Sequence, residues 1–320
     1  MKINRLLLFI LCLIFSCSIF AASNTSWKDF VAQLRVEAIA KGIRPAVFDK
    51  AFQNVTEPHQ GILRFDRTQP EKRLSFIQYR SSRAPQARIS LGKREMKKYA
   101  ALLQSISTRF GVSKCFIVSL WGLETSYGRV TGNYPVIQSL ATLAYDNRRA
   151  AFFRKELFYA LEILNGGHVK LERFKGEWAG ATGQSQFLPS SWHAFAVDYD
   201  GDGRKDIWDS RADVFASIAN YLVKHGWQSH QPWGIVVRLP NDFDSALASL
   251  KIVKTVSEWE KLGVHFSDTR INPNLLASII KPDGGPDFMV FNNFKVLMRW
   301  NHSIYYAGTV GYLADQLCDS

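Results

Sequence analysis

The texture of the chain changes at Pro232. Ahead of it, apolar residues recur at helical spacing. Beyond it, residues 235–239, 276–280 and 288–291 form short β-prone runs separated by Pro, Gly, Asn and Asp. Residues 295–317 return to a helical pattern. The fold class this allows is mainly α (α+β), with one small β-containing unit late in the chain. With 320 residues, 47% of them hydrophobic and 21% charged, the chain has the length for two or three domain-sized units and the composition of a packed protein.

The helical part divides at recognisable signals. Ser26-Trp27-Lys28-Asp29 reads as an acid-supported helix start, continued by a stripe of Phe30, Leu34, Ala38 and Ile39. Pro70 is expected to open a helix through Leu74, Ile77 and Gln78, and residues 92–110 to form a third with Met96, Ala100, Leu103 and Ile106 on one face. Residues 114–125 make an apolar helix that carries Glu124 near its end, before Gly128. Residues 140–164 make another, closed by Asn165-Gly166-Gly167, and residues 212–225 a further one stopped by Gly226.

The amino terminus reads as an export signal. Lys2 and Arg5 precede an apolar run from Leu6 to Phe15, and small residues follow at Ser16, Ser18, Ala21 and Ala22. The run is shorter than the roughly 20 apolar residues a membrane-spanning helix needs. Cleavage is expected near Ala21 or Ala22. The alternative is an acylated Cys17, which would tether the protein to the outer membrane and be its sole membrane contact. Losing the leader removes two of the charges behind the formal +12, so the remaining chain stays basic. That balance suits an anionic matrix or surface, or simply solubility; no binding motif for nucleic acid accompanies it. Two cysteines, Cys115 and Cys318, lie beyond the leader. Cys115 reads as a small buried hydrophobe, with a disulfide to Cys318 left open.

Three segments carry chemistry. In Trp121-Gly122-Leu123-Glu124-Thr125-Ser126-Tyr127-Gly128, a carboxylic acid at the end of an apolar helix sits beside two rings. Partial desolvation disfavours its charged form and suits it to donate a proton near neutral pH, as cleavage of a glycosidic bond requires. In Gly180-Ala181-Thr182-Gly183-Gln184-Ser185-Gln186-Phe187-Leu188-Pro189, closely spaced glycines let backbone approach a ligand, and Gln186 offers both a donor and an acceptor. In Asp198-Tyr199-Asp200-Gly201-Asp202-Gly203-Arg204-Lys205-Asp206-Ile207-Trp208-Asp209, oxygen ligands at positions 1, 3 and 5 and Gly at 6 match an EF-hand calcium loop. The Arg204 carbonyl would serve position 7. Asp209, or Asp213 in a lengthened loop, would close the site. Its role would be structural, with sodium able to replace calcium. No organic cofactor is expected, the histidines show no zinc spacing, and no serine elbow or phosphate loop is present.

Together and in this order, these segments resemble the membrane-bound lytic transglycosylase B family, glycoside hydrolase family 103. The likeness begins at Asp66-Arg67-Thr68-Gln69-Pro70-Glu71 and Tyr79 and passes through Asn147-Arg148-Arg149-Ala150. It continues in Ala219-Asn220-Tyr221-Leu222 and ends at Arg299-Trp300-Asn301-His302-Ser303. It implies a lysozyme-like core with a long cleft, divided here as a leader (1–22), an N-terminal helical domain (23–110), a catalytic core (111–234), a small β-containing domain (235–291) and a C-terminal helix (292–320). It further implies periplasmic cleavage of peptidoglycan strands without water. Glu124 would act as acid and then base, leaving a 1,6-anhydroMurNAc end. Gln186, Tyr221 and Asn301 would line the central subsites, Arg148 and Arg149 would reach the glycan or its peptide, and Tyr79 would be a lesser contact. Proteins of cell-wall synthesis or division are the expected partners.

The chain departs from the family pattern at several positions. Glu177, in Lys175-Gly176-Glu177-Trp178, stands where a small hydroxyl residue is usual. Facing Glu124 it would raise that acid's pKa; the outward direction is the reading preferred here. Thr182 replaces a Met, Trp300 a Tyr and Phe152 another Tyr, which alters subsite hydrogen bonds. Two other functions remain open: a hydrolytic muramidase using Glu177 as second carboxylate, and a non-catalytic wall-binding scaffold.

Overall fold

The computed structural model of the chain describes residues 26–67, 74–268 and 270–318; the leader with Cys12 and Cys17, and Pro70, lie outside them. Six helices come first: α1 (Trp27–Ala40), α2 (Pro45–Phe52), α3 (Gln60–Arg67), α4 (Phe76–Arg83), α5 (Gln86–Lys98) and α6 (Ala100–Phe110). α1 starts as its sequence suggests, with the Ser26 hydroxyl accepting from the Asp29 amide. Phe30, Leu34 and Ala38 turn inward, while Ile39 stays 37% exposed. α4 begins at Phe76, after Leu74, because Ser75 and Gln78 form a reciprocal capping box there. The helix expected over 92–110 is two. Tyr99 breaks it (φ −107°, ψ 25°), and its ring packs edge-on to Trp121 and Phe215. Ala100 is therefore exposed, whereas Leu103 and Ile106 are fully buried.

The middle of the chain surrounds α7 (Lys114–Thr125), with β1 (Tyr134–Pro135), α8 (Val136–Tyr145), α9 (Ala150–Asn165), β2 (Lys175–Gly176), α10 (Pro189–Phe195) and α11 (Arg211–Lys224). The single helix expected over 140–164 is α8 and α9, which pack along each other. The chain breaks between them because Arg148 and Arg149 turn aside to Asp66. β1 and β2 pair antiparallel. Gly132 permits that approach: a Cβ there would lie 2.1 Å from the Gly176 carbonyl oxygen, and its φ is +86°.

The late β unit comprises β3 (Gly234–Val237), β4 (Lys254–Thr255), α12 (Val256–Lys261), β5 (Leu276–Ile280) and β6 (Asp287–Val290). The four strands form an antiparallel sheet ordered β3-β6-β5-β4. Alternation splits its faces. Ile279 and Met289 join Trp259 and Val237 in a small core, while Ile280, Phe288 and Val290 join the large helical core. That large core runs continuously from Phe30 to Leu317. The chain closes with α13 (Asn292–Trp300) and α14 (Ile304–Cys318), so the helix expected over 295–317 is interrupted at Asn301–Ser303. α14 packs along α7. Cys115, fully buried on α7, is bonded to Cys318 on α14 with Cα atoms 5.8 Å apart. No helix of the described residues is long and apolar enough to cross a membrane.

Candidate active site

α7 ends where backbone strain and packing hold it. Ser126 and Tyr127 both take positive φ (50° and 62°), which stops the helix directly after Thr125. Tyr127 folds back onto Gly122, where a Cβ would lie 2.6 Å from its ring, and donates its hydroxyl to the Arg88 carbonyl at 2.9 Å. The Trp121 indole donates to Gln184 Oε1 at 2.9 Å, and the Thr125 hydroxyl reaches the Gln184 carbonyl at 3.0 Å. The end of the apolar helix is thus tied to the glycine-rich loop, and Glu124 is held between them.

Two donors from separate helices meet on one oxygen of Glu124. The Trp300 indole, at the end of α13, donates to Oε1 at 2.7 Å, and the Tyr306 hydroxyl, in the first turn of α14, donates to the same atom. The interruption at residues 301–303 lets both reach it. Burial pushes the Glu124 carboxyl above the usual range; the Tyr306 and Trp300 hydrogen bonds and the Arg83 charge pull it back, and burial prevails. Burial and the facing carboxylate also hold the Tyr306 hydroxyl well above its ordinary value, so it remains a donor. Both donors are thus on Oε1, and neither is on Oε2.

Around this carboxyl lies a cleft of about 350 Å³ lined by Tyr79, Arg83, Leu123, Glu177, Gln186, Asn301, Tyr306 and Thr309. Gln186 takes positive φ (50°) and directs its amide nitrogen to the Thr131 and Gly183 carbonyls, which leaves its oxygen for a ligand. Glu177, for which the outward direction is preferred from sequence, stays solvent-exposed at the cleft. The tight turn in which its carbonyl accepts from the Gly180 amide brings it to the cleft wall, where it remains exposed. The influences that move Glu124 are burial, its two hydrogen bonds and Arg83, with no contribution from Glu177.

Three expected contacts are otherwise engaged. Tyr221 is buried and stands behind the cleft. Its hydroxyl donates to the Arg299 carbonyl at 2.7 Å, its ring packs against Trp300 at 4.6 Å, and burial pushes its pKa up to about 12. Arg148 and Arg149 clasp the buried Asp66: Arg148 Nε meets Oδ2 at 2.8 Å, and Arg149 meets Oδ1. The Arg148 and Arg149 guanidiniums hold the Asp66 carboxyl below its usual range against the effect of burial. Thr182 is interior, donating to the Lys175 carbonyl and accepting from the Trp208 indole. Phe152 is 45% exposed on α9. Sequence reasoning missed Tyr306, Arg83 and Thr309. Tyr306 falls inside what reads as one uninterrupted helix, and nothing local marks it.

The acidic loop converges as its spacing implies: carboxylate oxygens of Asp198, Asp200 and Asp202 lie within 4.8 Å of one another. Asp198 accepts from the Gly201 and Gly203 amides at 2.8 and 2.9 Å. Both residues expected to close the set do other things. Asp209 pairs with Arg173. Asp213 is fully buried and accepts from the Tyr199 and Asp206 amides, each at 2.7 Å, so it braces both ends of the loop; burial pushes its pKa up to about 6. The Arg204 side chain pairs with Asp202 at 2.7 Å. Three carboxylates at one point form a donor set suited to a hard cation.

A family model described as transglycosylase SLT domain matches residues 26–315. The membrane-bound lytic murein transglycosylase B of Escherichia coli (strain K12) is 30% identical over 249 residues, which are 75% of this chain and 66% of that protein. The chain thus spans just under two thirds of that relative's length. Among solved structures, SltB3 of Pseudomonas aeruginosa in complex with NAG-NAM-pentapeptide superposes with a TM-score of 0.89 at 39% identity, covering 92% of this chain and 80% of that one. The Escherichia coli lytic transglycosylase Slt35 in complex with calcium superposes with a TM-score of 0.79 at 26% identity, covering 90% and 92%.

Proposed function

Because the chain belongs to the SLT-type lytic transglycosylase family, we propose that it cleaves peptidoglycan strands between N-acetylmuramic acid and N-acetylglucosamine without consuming water. The observation that carries this reading is the state of Glu124: one desolvated carboxyl, with two donors on Oε1 and Oε2 left for a proton. In the first step Oε2–H protonates the linking oxygen, and the bond from that oxygen to muramyl C1 breaks with its electron pair leaving on oxygen. Tyr306 and Trp300 support the carboxylate so formed. In the second step that carboxylate takes the proton of the muramyl 6-hydroxyl, whose oxygen bonds to C1. A 1,6-anhydro end results, and Glu124 regains its proton. The substrate supplies the nucleophile, so one carboxylate suffices.

The bound fragment in the SltB3 complex supports the substrate class. A periplasmic site of action, soluble or tethered through Cys17, accords with that substrate and with the Cys115–Cys318 disulfide, a bond that persists in oxidising compartments. Gln186 and Asn301 would contact the central sugars and Tyr79 a flanking one. Mass spectrometry of digested sacculi tests the reaction: anhydro-muropeptides, lighter by one water than reducing-end products, are expected. Reducing-end products alone would favour the second reading, a muramidase in which Glu177 activates water, since Glu177 shares the cleft.

Asp198, Asp200 and Asp202, with the Arg204 carbonyl, would hold a calcium ion that fixes this loop beside the core, as the calcium complex of Slt35 suggests. The ion would supply charge neutralisation for three clustered carboxylates and take no part in bond cleavage, and sodium could replace it. Calorimetry should record calcium binding that Asp202→Ala abolishes; equal binding by both proteins would refute the assignment.

A further inference from the structure

The two helices that meet at Glu124 are joined again at their far ends. α7 and α14 run antiparallel. Cys115 is bonded to Cys318, the Ser119 hydroxyl donates to the Val310 carbonyl at 2.7 Å, and Glu124 accepts from Tyr306. From Cys115 to Glu124 is roughly 13 Å of helix, and from Tyr306 to Cys318 roughly 18 Å. We propose that the Cys115–Cys318 disulfide is a positioning device that fixes the axial register of α14 against α7 and so keeps the Tyr306 hydroxyl on Glu124 Oε1. The proposal deepens the reading of Glu124 as acid and base and rests on it.

The packing between the two ends explains why a fixed point is needed. Of the buried residues of α14 between Tyr306 and Leu313, Gly308 seats the Phe76 ring, Gly311 seats the Trp233 ring and Thr309 lines the cleft, so what remains to meet α7 there is short: Ala307 and Val310. Small side chains make shallow ridges, and shallow ridges resist sliding poorly. The Ser119 hydrogen bond goes to a helix carbonyl, one of a repeating row, so a neighbouring carbonyl could replace its partner. The disulfide has one partner and a fixed length. A slip of one residue, about 1.5 Å along the axis with a turn of about 100° around it, would carry the Tyr306 hydroxyl out of hydrogen-bond range. Burial of Leu313, Ala314 and Leu317 already holds the end of α14 to the core, so the covalent bond adds register to a helix that is docked without it.

Slippage would be read in the titration of Glu124. The ionisable groups that act on its carboxyl are Tyr306 from α14 and Arg83 from α4; Tyr79 from α4 and Glu177 from the turn after β2 line the same cleft. Of these, Tyr306 is the one on a helix that the disulfide joins to α7. Its departure removes a donor that favours the carboxylate, so the acid's pKa rises further.

The test compares the full chain with its disulfide intact, the same chain reduced by a phosphine, and Cys318→Ala, which leaves the buried Cys115 in place. Carbon-13 titration of the Glu124 carboxyl, assigned with Glu124→Gln, reads the register whether or not glycan is turned over. Turnover of peptidoglycan against pH reads its consequence. Breaking the bond should raise the Glu124 midpoint by about half a unit or more, lower kcat about tenfold, and move the alkaline limb of kcat/KM upward. In a Tyr306→Phe background it should change none of the three. A disulfide that merely stabilises would lower the melting temperature and leave midpoint and limb in place, which would overturn the proposal; so would equal shifts in the presence and absence of the Tyr306 hydroxyl. Should Cys318→Ala fail to fold, the reduced chain below its melting transition supplies the same comparison. The expected midpoint shift on breaking the bond, in a folded chain that makes no anhydro product, would count against the enzymatic reading and leave the register assignment standing.

Discussion

Replacing Trp300 with Phe removes the indole N–H from Glu124 Oε1 and leaves an aromatic ring in its place. The bond is 2.7 Å long and the half-buried carboxyl has its pKa raised by burial, so the donor acts on a charge that water screens only in part. A hydrogen bond to a charged group contributes about 1.5–3 kcal/mol. Part of that is retained when Oε1 belongs to a neutral acid, and Tyr306 still donates, so the difference between the two protonation states is about 1.4 kcal/mol, a factor of about ten. Losing a donor that favours the carboxylate raises a pKa that burial already raises. The acid therefore stays protonated to higher pH, and the alkaline limb of kcat/KM should move up by about one pH unit. The plateau of kcat should fall about tenfold, because the carboxylate formed between the two steps has lost support. Trp300→Tyr returns a donor on a longer reach, offset from the indole nitrogen's position, and should recover part of both changes. The assay is release of anhydro-muropeptides from purified sacculi across pH, with melting curves to show that the ring contacts to Tyr221 and Phe187 still hold the fold. An alkaline limb that stays in place or moves down would refute this account of what Trp300 does.

Glu124→Gln should abolish turnover and retain glycan binding. Its stability should change with pH in one direction. A carboxyl whose folded pKa lies above its unfolded value contributes stability fully below the unfolded pKa and loses it as pH rises through the folded one. Gln carries no such loss, so the variant should melt above wild type at neutral pH, with the gap closing in acid. Asp66→Asn should lower the melting temperature by about 2–4 °C, because it leaves the Arg148 and Arg149 guanidiniums without their buried partner. Asp66 is held below its unfolded pKa, so its contribution is present above that value and fades as pH falls through the folded one. The difference between Asp66→Asn and wild type should vanish in acid, as thermal melts from neutral pH downward would record.

Local patterning carried the sequence reading a long way where one stretch of chain contains its own partners. α7 is one case: a continuous apolar run between Ser113 and a left-handed turn forms over the residues its periodicity implies, with Glu124 one residue from the end. The acidic loop is another, since backbone amides within it orient Asp198 and bring three carboxylates together. Reading failed at helix breaks. Tyr99, residues 146–149 and residues 301–303 lie in stretches with helix-compatible composition, and each breaks to satisfy contacts far along the chain. Tyr99 turns at Trp121 and Phe215, and Arg148 and Arg149 reach Asp66 across 82 and 83 residues.

The sequence by itself determined that a carboxyl would sit at the end of an apolar helix at position 124, with a glycine-rich loop at 180–183 and an acidic turn to gather oxygens. Each depends on residues a few positions apart, where helix geometry and turn chemistry act directly. Tertiary structure decided which oxygen of Glu124 is free for a proton, since its two donors stand 176 and 182 residues away on helices separated by a break. It likewise placed Glu177 at the exposed edge of the cleft, packed Tyr221 against Trp300, and engaged Arg148 and Arg149 with a buried aspartate. A side chain's direction depends on what packs against it, and those neighbours are adjacent only after the chain has folded.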